Sequence, residues 1–390
     1  MPACALLPRL ATVVAALALL TGCAPGALTQ APAPSTPSAP EPSASPTPEP
    51  EPERSLLLTT LAASNALAVV DPDAAEPVVA SIEVGAAPWG VAADAAHERA
   101  FVATAVGLAV VDLASMTRTA LVPFQHQPAE VADGEYRDGG LGLAVSPDGA
   151  TVYVAVHRWP DPAWLEVFDV ASGTFTASVD VGVRPFDVLV DPEGAWVATV
   201  DHDTYGVTVV DAATLAARTI EVAPFGDLGF NSWEKPHYGV VTDAGTILLP
   251  FQGQVMLEVD PLSGAVTSTP LTAQTHQHGA TQVRSPGDAL DGTTLVVGTG
   301  AFGSATQGPS LEIVSADGTD AVVPLSRLHE TVTTWRATDA DAWSAVLAGG
   351  YTRDGWWDGL TIVDLETLQQ REVPVVGRPQ AVVAVTLPGA

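Results

Sequence analysis

Three histidines, His237, His278 and His329, each stand at the start of a strand in three consecutive copies of an internal repeat. A repeat that closes into a ring brings equivalent positions together around one axis. Imidazole nitrogens that converge in this way are ligands for transition metal ions. The repeat therefore predicts a metal site, provided that the copies form a closed ring.

The repeat is a short apolar strand that ends in aspartate and is followed by a turn. Six copies keep the aspartate, and a seventh copy at Glu312–Ser315 has serine there. The six are Ala68–Asp71, Ala109–Asp112, Glu166–Asp169, Thr208–Asp211, Leu257–Asp260 and Thr361–Asp364. Successive copies are 41 residues (Asp71 to Asp112) to 57 residues (Asp112 to Asp169) apart. This spacing fits four short strands per copy, which is the blade of a β-propeller. We expect each aspartate to bond the backbone of its turn.

The two ends of the repeat region complement each other. Leu56–Val84 is predicted to contain only the outer strands of a blade, and Arg378–Leu387 is predicted to be an isolated inner strand. Pairing of the two would complete one blade and close the ring without open sheet edges. The sequence thus predicts an all-β, seven-bladed β-propeller over residues 55–390.

The strand-and-turn strings of residues 54–390 resemble the repeats of YVTN-type lipoprotein and periplasmic propellers. The resemblance implies the same fold. It implies little about function, because propellers host many activities.

The first residues are typical of export and anchoring. Arg9 precedes an apolar run, Leu10–Leu20, that is too short for a transmembrane helix, and residues 1–23 end in Leu-Thr-Gly-Cys23. This ending resembles a lipobox, which implies that Cys23 carries lipid and anchors the protein to the outer face of the cell membrane. Residues 24–54 are rich in Pro, Ala, Ser and Glu and predict a disordered linker. The alternative is an ordinary cleaved signal peptide.

Charge and composition limit the kinds of partner and ligand that the protein can bind. The formal net charge is −30, and hydrophobic residues make up 47% of the chain. Such a charge repels nucleic acid and attracts cations, so we expect no nucleic-acid partner. The two cysteines, Cys4 and Cys23, both lie in the predicted signal. A metal site would then use histidine and carboxylate ligands, which suit zinc and also Cu(II) or Ni(II).

The repeat assigns seven of the eight histidines, all but His97, to one face of the ring. We predict His237, His278 and His329 as metal ligands, with His202 as a fourth and Glu330 orienting one of them. The alternative is that these histidines only form hydrogen bonds across a wet channel. On the same face, tryptophans are predicted to plug the channel mouth rather than bind a ligand; they are Trp159, Trp164, Trp233, Trp356 and Trp357.

Two strings at these positions are similar to those of extracytoplasmic zinc metallochaperones that serve zinc ABC transporters. They are Lys235–Val240 and His276–Gly279. The resemblance implies zinc as the cofactor and a metal-transport solute-binding protein as a partner. We expect a monomer that stores zinc or delivers it.

Two other function classes stay open. A propeller enzyme of the lyase or lactonase type would use the same residues, with an open coordination position beside a roomy pocket. We regard an enzyme as the lesser alternative, because the chain has no Gly-x-Ser-x-Gly nucleophile motif. A surface scaffold without metal is the third class.

Overall fold

The computed structural model describes residues 53–222, 235–252, 255–273, 277–299, 308–338, 340–349 and 355–388. The predicted signal, Cys23 and nearly all of the predicted linker lie outside these residues, as do Trp233, Glu234 and His276.

The described residues form seven antiparallel four-stranded sheets, so the predicted seven-bladed β-propeller is confirmed. Within each sheet the strands are given from the channel outward. Blade 1 contains β28 (Pro379–Leu387), β1 (Arg54–Leu61), β2 (Ala66–Val70) and β3 (Val78–Glu83). Blade 2 contains β4 (Val91–Asp94), β5 (Arg99–Ala103), β6 (Gly107–Asp112) and β7 (Thr117–Pro123). Blade 3 contains β8 (Gly139–Val145), β9 (Thr151–His157), β10 (Ala163–Asp169) and β11 (Thr174–Val181). A 3₁₀ helix, Ala95–His97, links β4 and β5.

The other blades follow the same order. Blade 4 contains β12 (Pro185–Val190), β13 (Trp196–Asp201), β14 (Gly206–Asp211) and β15 (Ala217–Glu221). Blade 5 contains β16 (Val240–Val241), β17 (Ile247–Phe251), β18 (Val255–Val259) and β19 (Val266–Pro270). Blade 6 contains β20 (Gln277–Gln282), β21 (Thr294–Gly298), β22 (Ser310–Val314) and β23 (Asp320–Pro324). Blade 7 contains β24 (Thr331–Trp335), β25 (Ser344–Ala348), β26 (Gly359–Asp364) and β27 (Gln370–Pro374).

Ring closure occurs in blade 1, as predicted. The inner strand β28, from the end of the chain, pairs antiparallel with β1, with Leu57 opposite Ala384. Nine residues of β28 thus complete a sheet whose other three strands come from the start of the propeller. The closure pairs the inner edge of β1, which the other two strands of blade 1 do not cover.

The core lies between the blades. Each of the seven interfaces between neighbouring blades contains its own cluster of buried apolar side chains. Middle strands such as β2 and β13 are buried along their whole length, because both faces of the sheet are covered. Outer strands such as β15 and β27 are mostly exposed. Burial on two faces explains why the middle strands read as continuous apolar runs.

The repeated aspartate has the predicted role. Asp169 Oδ1 accepts the backbone N–H of Ser172 at 2.7 Å, and Asp260 Oδ1 accepts that of Leu262 at 2.8 Å. These bonds hold the turn between the third and fourth strands.

Buried glutamates on third strands tie neighbouring blades together. Glu312 of β22 accepts the backbone N–H groups of Thr272 and Ala273, which follow blade 5, at 2.6 and 3.0 Å. Glu166 of β10 accepts those of Gln125 and His126, which follow blade 2, at 2.8 Å each. Each carboxylate thus satisfies two successive donors of an inter-blade connection.

Candidate functional site

One apolar cluster lies across the channel rather than between two blades. It joins Trp89, Leu141 and Phe186 with the partly buried Tyr238, one residue from each of blades 2 to 5. The Trp89 indole Nε1 donates a hydrogen bond of 3.1 Å to the Tyr238 hydroxyl. The rings of Trp89 and Phe186 stack with centroids 6.3 Å apart. We call these four residues the central layer, and they fill the channel near the start of the inner strands.

Two ionisable residues extend this level into blades 6 and 7. A Cβ atom on Gly279 would lie 2.7 Å from the Glu330 carbonyl oxygen, just as one on Gly142 would lie 2.6 Å from the Phe186 carbonyl oxygen. The match places His278, which precedes Gly279, and Glu330 at the level of the central layer. Glu330 is buried, and its Oε2 accepts the side-chain amide of Gln380 at 3.0 Å.

The three histidines therefore do not occupy matched positions. His237 and His329 each stand one residue before this level, whereas His278 stands within it. The register of β20 shifts at His278, between Gln277 and Gly279. Because successive side chains of a strand point in opposite directions, an offset of one residue changes where an imidazole points.

The structure brings together His202, His237 and His278, which we call the histidine cluster. The His202 and His237 ring centroids are 4.6 Å apart, and those of His237 and His278 are 4.4 Å apart. All three residues are buried, with exposures of 3%, 2% and 5% respectively. Phe186 of the central layer stacks on His237 at 5.1 Å and meets His202 edge-on at 4.9 Å. The aromatic layer thus forms one wall of the cluster.

Gln252, directly after β17, connects two of these imidazoles. Its Oε1 accepts the backbone N–H of Lys235 at 3.2 Å, so its amide nitrogen faces the histidines. That nitrogen lies 2.7 Å from His278 Nε2 and 3.4 Å from His237 Nδ1. An amide NH₂ group only donates, so both imidazole nitrogens face it with their lone pairs. Gln252 was not predicted from the sequence, although it lies at the end of a second strand, as His157 and His202 do.

A charged network fixes the third imidazole. His202 Nδ1 is 2.7 Å from Asp203 Oδ1, which also accepts Lys235 Nζ at 2.6 Å, and Arg184 bonds the other Asp203 oxygen. Burial opposes ionisation of Asp203, but the bonds from these three partners outweigh it and keep the pKa of the carboxyl well below its usual range. Burial, with the nearby His237, lowers the pKa of His202 to about 3. His202 is therefore neutral at pH 7 and donates its Nδ1–H to Asp203, so its Nε2 carries a lone pair.

His329 has a different environment from the one its predicted role requires. Its Nε2 lies 2.8 Å from the Thr361 hydroxyl, and the Trp357 indole Nε1 donates toward its Nδ1 at 3.5 Å. The residue is fully buried, and burial, followed by the charge of Arg327, lowers its pKa to about 3. His329 thus bonds the third strand of its own blade. Glu330, the predicted orienting residue, bonds Gln380 instead of a ring nitrogen.

The remaining histidines make separate contacts. His126 stacks on Trp164 at 4.0 Å, and His97 pairs with Asp94 beside the 3₁₀ helix. His157 is fully buried at the end of β9, and burial lowers its pKa to about 4. Among the described residues neither ring nitrogen of His157 has a hydrogen-bond partner; Asp138 Oδ1 lies 3.8 Å from its Nε2.

The tryptophans do not plug the channel in the predicted way. Trp159 and Trp356 are 64% and 56% exposed, and Trp357 packs beside His329. The channel is filled by the central layer, in which Trp89 supplies the indole. Trp89 and Phe186 each follow a proline at the start of an inner strand, in the pattern Pro-aromatic-x-Val, which is visible in the sequence.

Among the residues that the structure describes, no group of three or more His, Cys, Asp or Glu side chains has an arrangement that could hold a metal ion as it stands. In the same residues, no helix has the length and apolar character needed to cross a membrane.

The fold places the protein in the class of seven-bladed β-propellers. No protein-family model and no curated protein sequence matches this chain. Among solved structures, hydrazine synthase from Kuenenia stuttgartiensis is similar with a TM-score of 0.58 at 16% identity, over 80% of this chain and 93% of that chain. Dihydro-heme d1 dehydrogenase NirN, solved in complex with DHE, is similar with a TM-score of 0.50 at 16% identity, over 73% of this chain. This chain covers 55% of the NirN chain. At such identity these likenesses show the fold alone.

Proposed function

We propose that the protein binds a divalent transition metal ion, with zinc as the first candidate, through His202, His237 and His278. The observation that carries the proposal is the convergence of two imidazole lone pairs on one point, occupied by the Gln252 amide nitrogen at 2.7 and 3.4 Å. A partly positive N–H group at that point stands in for a cation.

Metal binding would require a local rearrangement. Two nitrogens on a tetrahedral zinc lie about 3.3 Å apart, given Zn–N distances of roughly 2.0–2.1 Å. The ring centroids of the histidine cluster are already 4.4 and 4.6 Å apart. We expect withdrawal of the Gln252 amide and rotation of the His237 and His278 rings about their side-chain bonds to accompany binding, while Asp203 holds His202 in place.

Two carboxylates support this role from behind the rings. Asp203 fixes the His202 tautomer through Nδ1, and Glu135 Oε1 lies 3.9 Å from His237 Nε2, the nitrogen opposite Gln252. Carboxylates placed behind histidine ligands raise the basicity of the imidazole and fix its orientation. Of the four ligands predicted from the sequence, the proposed site keeps His202, His237 and His278 and leaves out His329.

The buried cluster favours binding over catalysis, because a catalytic metal needs an open position beside a substrate pocket. The buried cluster and the predicted lipid anchor at Cys23 together support a role outside the cytoplasm. We propose that the protein stores the ion there or delivers it to a solute-binding protein of a metal transporter.

The test is metal titration of the full chain after treatment with a chelator. Co²⁺ serves as the probe, because tetrahedral coordination by nitrogen ligands gives visible absorption bands, and Zn²⁺ should displace it. We expect one ion per chain. The triple variant H202A/H237A/H278A should lose it, while H97A, at an exposed site, and H329A should keep it. Equal low binding by wild type and triple variant would refute the proposal, and loss of the ion in H329A alone would restore the sequence-based ligand set.

Gln252 gives a second test of the same site. Its amide competes with the ion for two lone pairs, so Q252A should bind Co²⁺ at least as tightly as wild type. Weaker binding by Q252A would show that the amide supports the ion rather than competing with it.

A further inference from the structure

On the side of the central layer away from the histidine cluster, the inner strands surround a cavity of about 330 Å³. All seven blades contribute to its wall. The wall is mainly apolar. Each blade contributes at least one apolar side chain, and these include Val91, Leu143, Val188, Val240, Ala280, Val332 and Val382. This volume lies at the lower end of the range for small-molecule sites.

Asp187 of blade 4 lies at the end of this cavity nearest the central layer, directly after Phe186. The corresponding residues of the other blades are small: Gly90, Gly142, Gly239, Gly279, Thr331 and Ala381. Asp187 is also the one carboxylic acid among the described residues of the cavity wall.

The Asp187 carboxyl group has hydrogen bonds but no countercharge. Its Oδ1 accepts the Val188 N–H and its Oδ2 accepts the Gly239 N–H, each at 2.9 Å. Each oxygen keeps a further lone pair. Within the described residues no Lys, Arg or His nitrogen pairs with Asp187, and burial raises its pKa to about 7 despite the two N–H bonds. A buried carboxylate of this kind is stabilised by a cation brought to it.

We infer that this cavity is a binding site for a small organic amine, whose ammonium group pairs with Asp187 and whose apolar body fills the space below. The apolar wall suits a hydrocarbon or aromatic body, and the carboxylate selects a positive head group. Arg284, two residues beyond β20, also lines the cavity, and its side chain is 45% exposed, so we expect a ligand to enter at the end away from the central layer. The central layer closes the other end of the cavity.

The amine site is independent of the proposed metal site. Phe186 and Tyr238 separate Asp187 from the histidine cluster, and no residue of the cluster lines the cavity. Failure of one proposal therefore leaves the other intact, and the two are tested by different ligands.

The probe pair is benzylamine and benzyl alcohol, which share shape and apolar body but differ in charge. Calorimetric titration of the full chain, in chelator, should show benzylamine binding about tenfold or more tightly than benzyl alcohol. Asp187→Asn should abolish this preference, because it removes the charge and keeps one hydrogen-bond acceptor. Thr333→Phe fills the cavity from blade 7 and should abolish binding of both compounds. Glu76→Gln, at an exposed site, removes one negative charge elsewhere and should behave as wild type.

Three results would overturn the inference. They are equal affinity for amine and alcohol in wild type, an unchanged preference in Asp187→Asn, and no binding of either compound. Circular dichroism and cooperative thermal melting of the same variants show that they are folded. If Asp187→Asn fails to fold, Thr333→Phe still decides whether benzylamine occupies the cavity.

Discussion

Substitution of His329 should change how the protein responds to acid. His329 is buried as a neutral imidazole, so its folded-state pKa of about 3 lies below the ordinary value of 6.5. A proton then binds the unfolded chain more tightly than the folded one. The stability that depends on the neutral form is complete above the unfolded pKa, and it is lost as the pH falls below 6.5 toward 3.

The size of this effect follows from the shift. Between pH 7 and pH 5 the unfolded state takes up most of one proton at this residue, and the folded state takes up almost none. Each pKa unit corresponds to about 1.36 kcal/mol, so His329 alone should cost about 2 kcal/mol of unfolding free energy over this interval. A glutamine at this position does not titrate, and H329Q should lack this share of the acid loss.

The assay is urea unfolding of wild type and H329Q at pH 7 and pH 5 in chelator, followed by circular dichroism. Thr361→Val is the matched control, because it removes the hydrogen bond to His329 but keeps the titrating ring. T361V should lower stability while keeping an acid loss close to that of wild type. If H329Q loses as much stability as wild type between the two pH values, the buried neutral imidazole is refuted.

Three predictions concern the frame around the site. Glu312→Gln should lower the free energy of unfolding by about 1–3 kcal/mol, because the two backbone N–H groups bond different oxygens and glutamine places an NH₂ group opposite one of them. Denaturant titration against Glu258→Gln, an exposed third-strand glutamate, measures this. Gly142→Ala should cost about 1–3 kcal/mol by pressing a methyl group on the backbone of blade 4, and thermal melting against Gly308→Ala, whose Cβ would meet nothing within 4 Å, checks it. Deletion of β28 removes the inner strand of blade 1 and should leave a chain without cooperative unfolding, as seen by circular dichroism.

The fold could be predicted because its signals are local and repeated. An apolar third strand that ends in aspartate recurs in six blades, and the structure shows the aspartate bonding its turn at Asp169 and Asp260. The incomplete sets of strands at the two ends of the repeat also indicated where the ring closes. These patterns depend on residues close in sequence, so one chain suffices to read them.

The site was less predictable because it depends on single-residue offsets. His278 lies within a register shift of β20, and its offset from His237 and His329 decides which imidazoles meet. Gln252 carries no sequence motif, and its role depends on Lys235 fixing the orientation of its amide. Such details depend on local strand register and on individual side-chain contacts, which residue spacing does not encode.

The bond between Trp89 and Tyr238 has a mechanical consequence. Blades 2 and 5 are not neighbours in the ring. The indole–phenol hydrogen bond therefore links two blades across the channel and resists widening of the ring. Most blades are held in place by their neighbours, but these two also pull on each other. A molecule that docks on either rim should therefore meet a stiff surface, whose shape is set before contact.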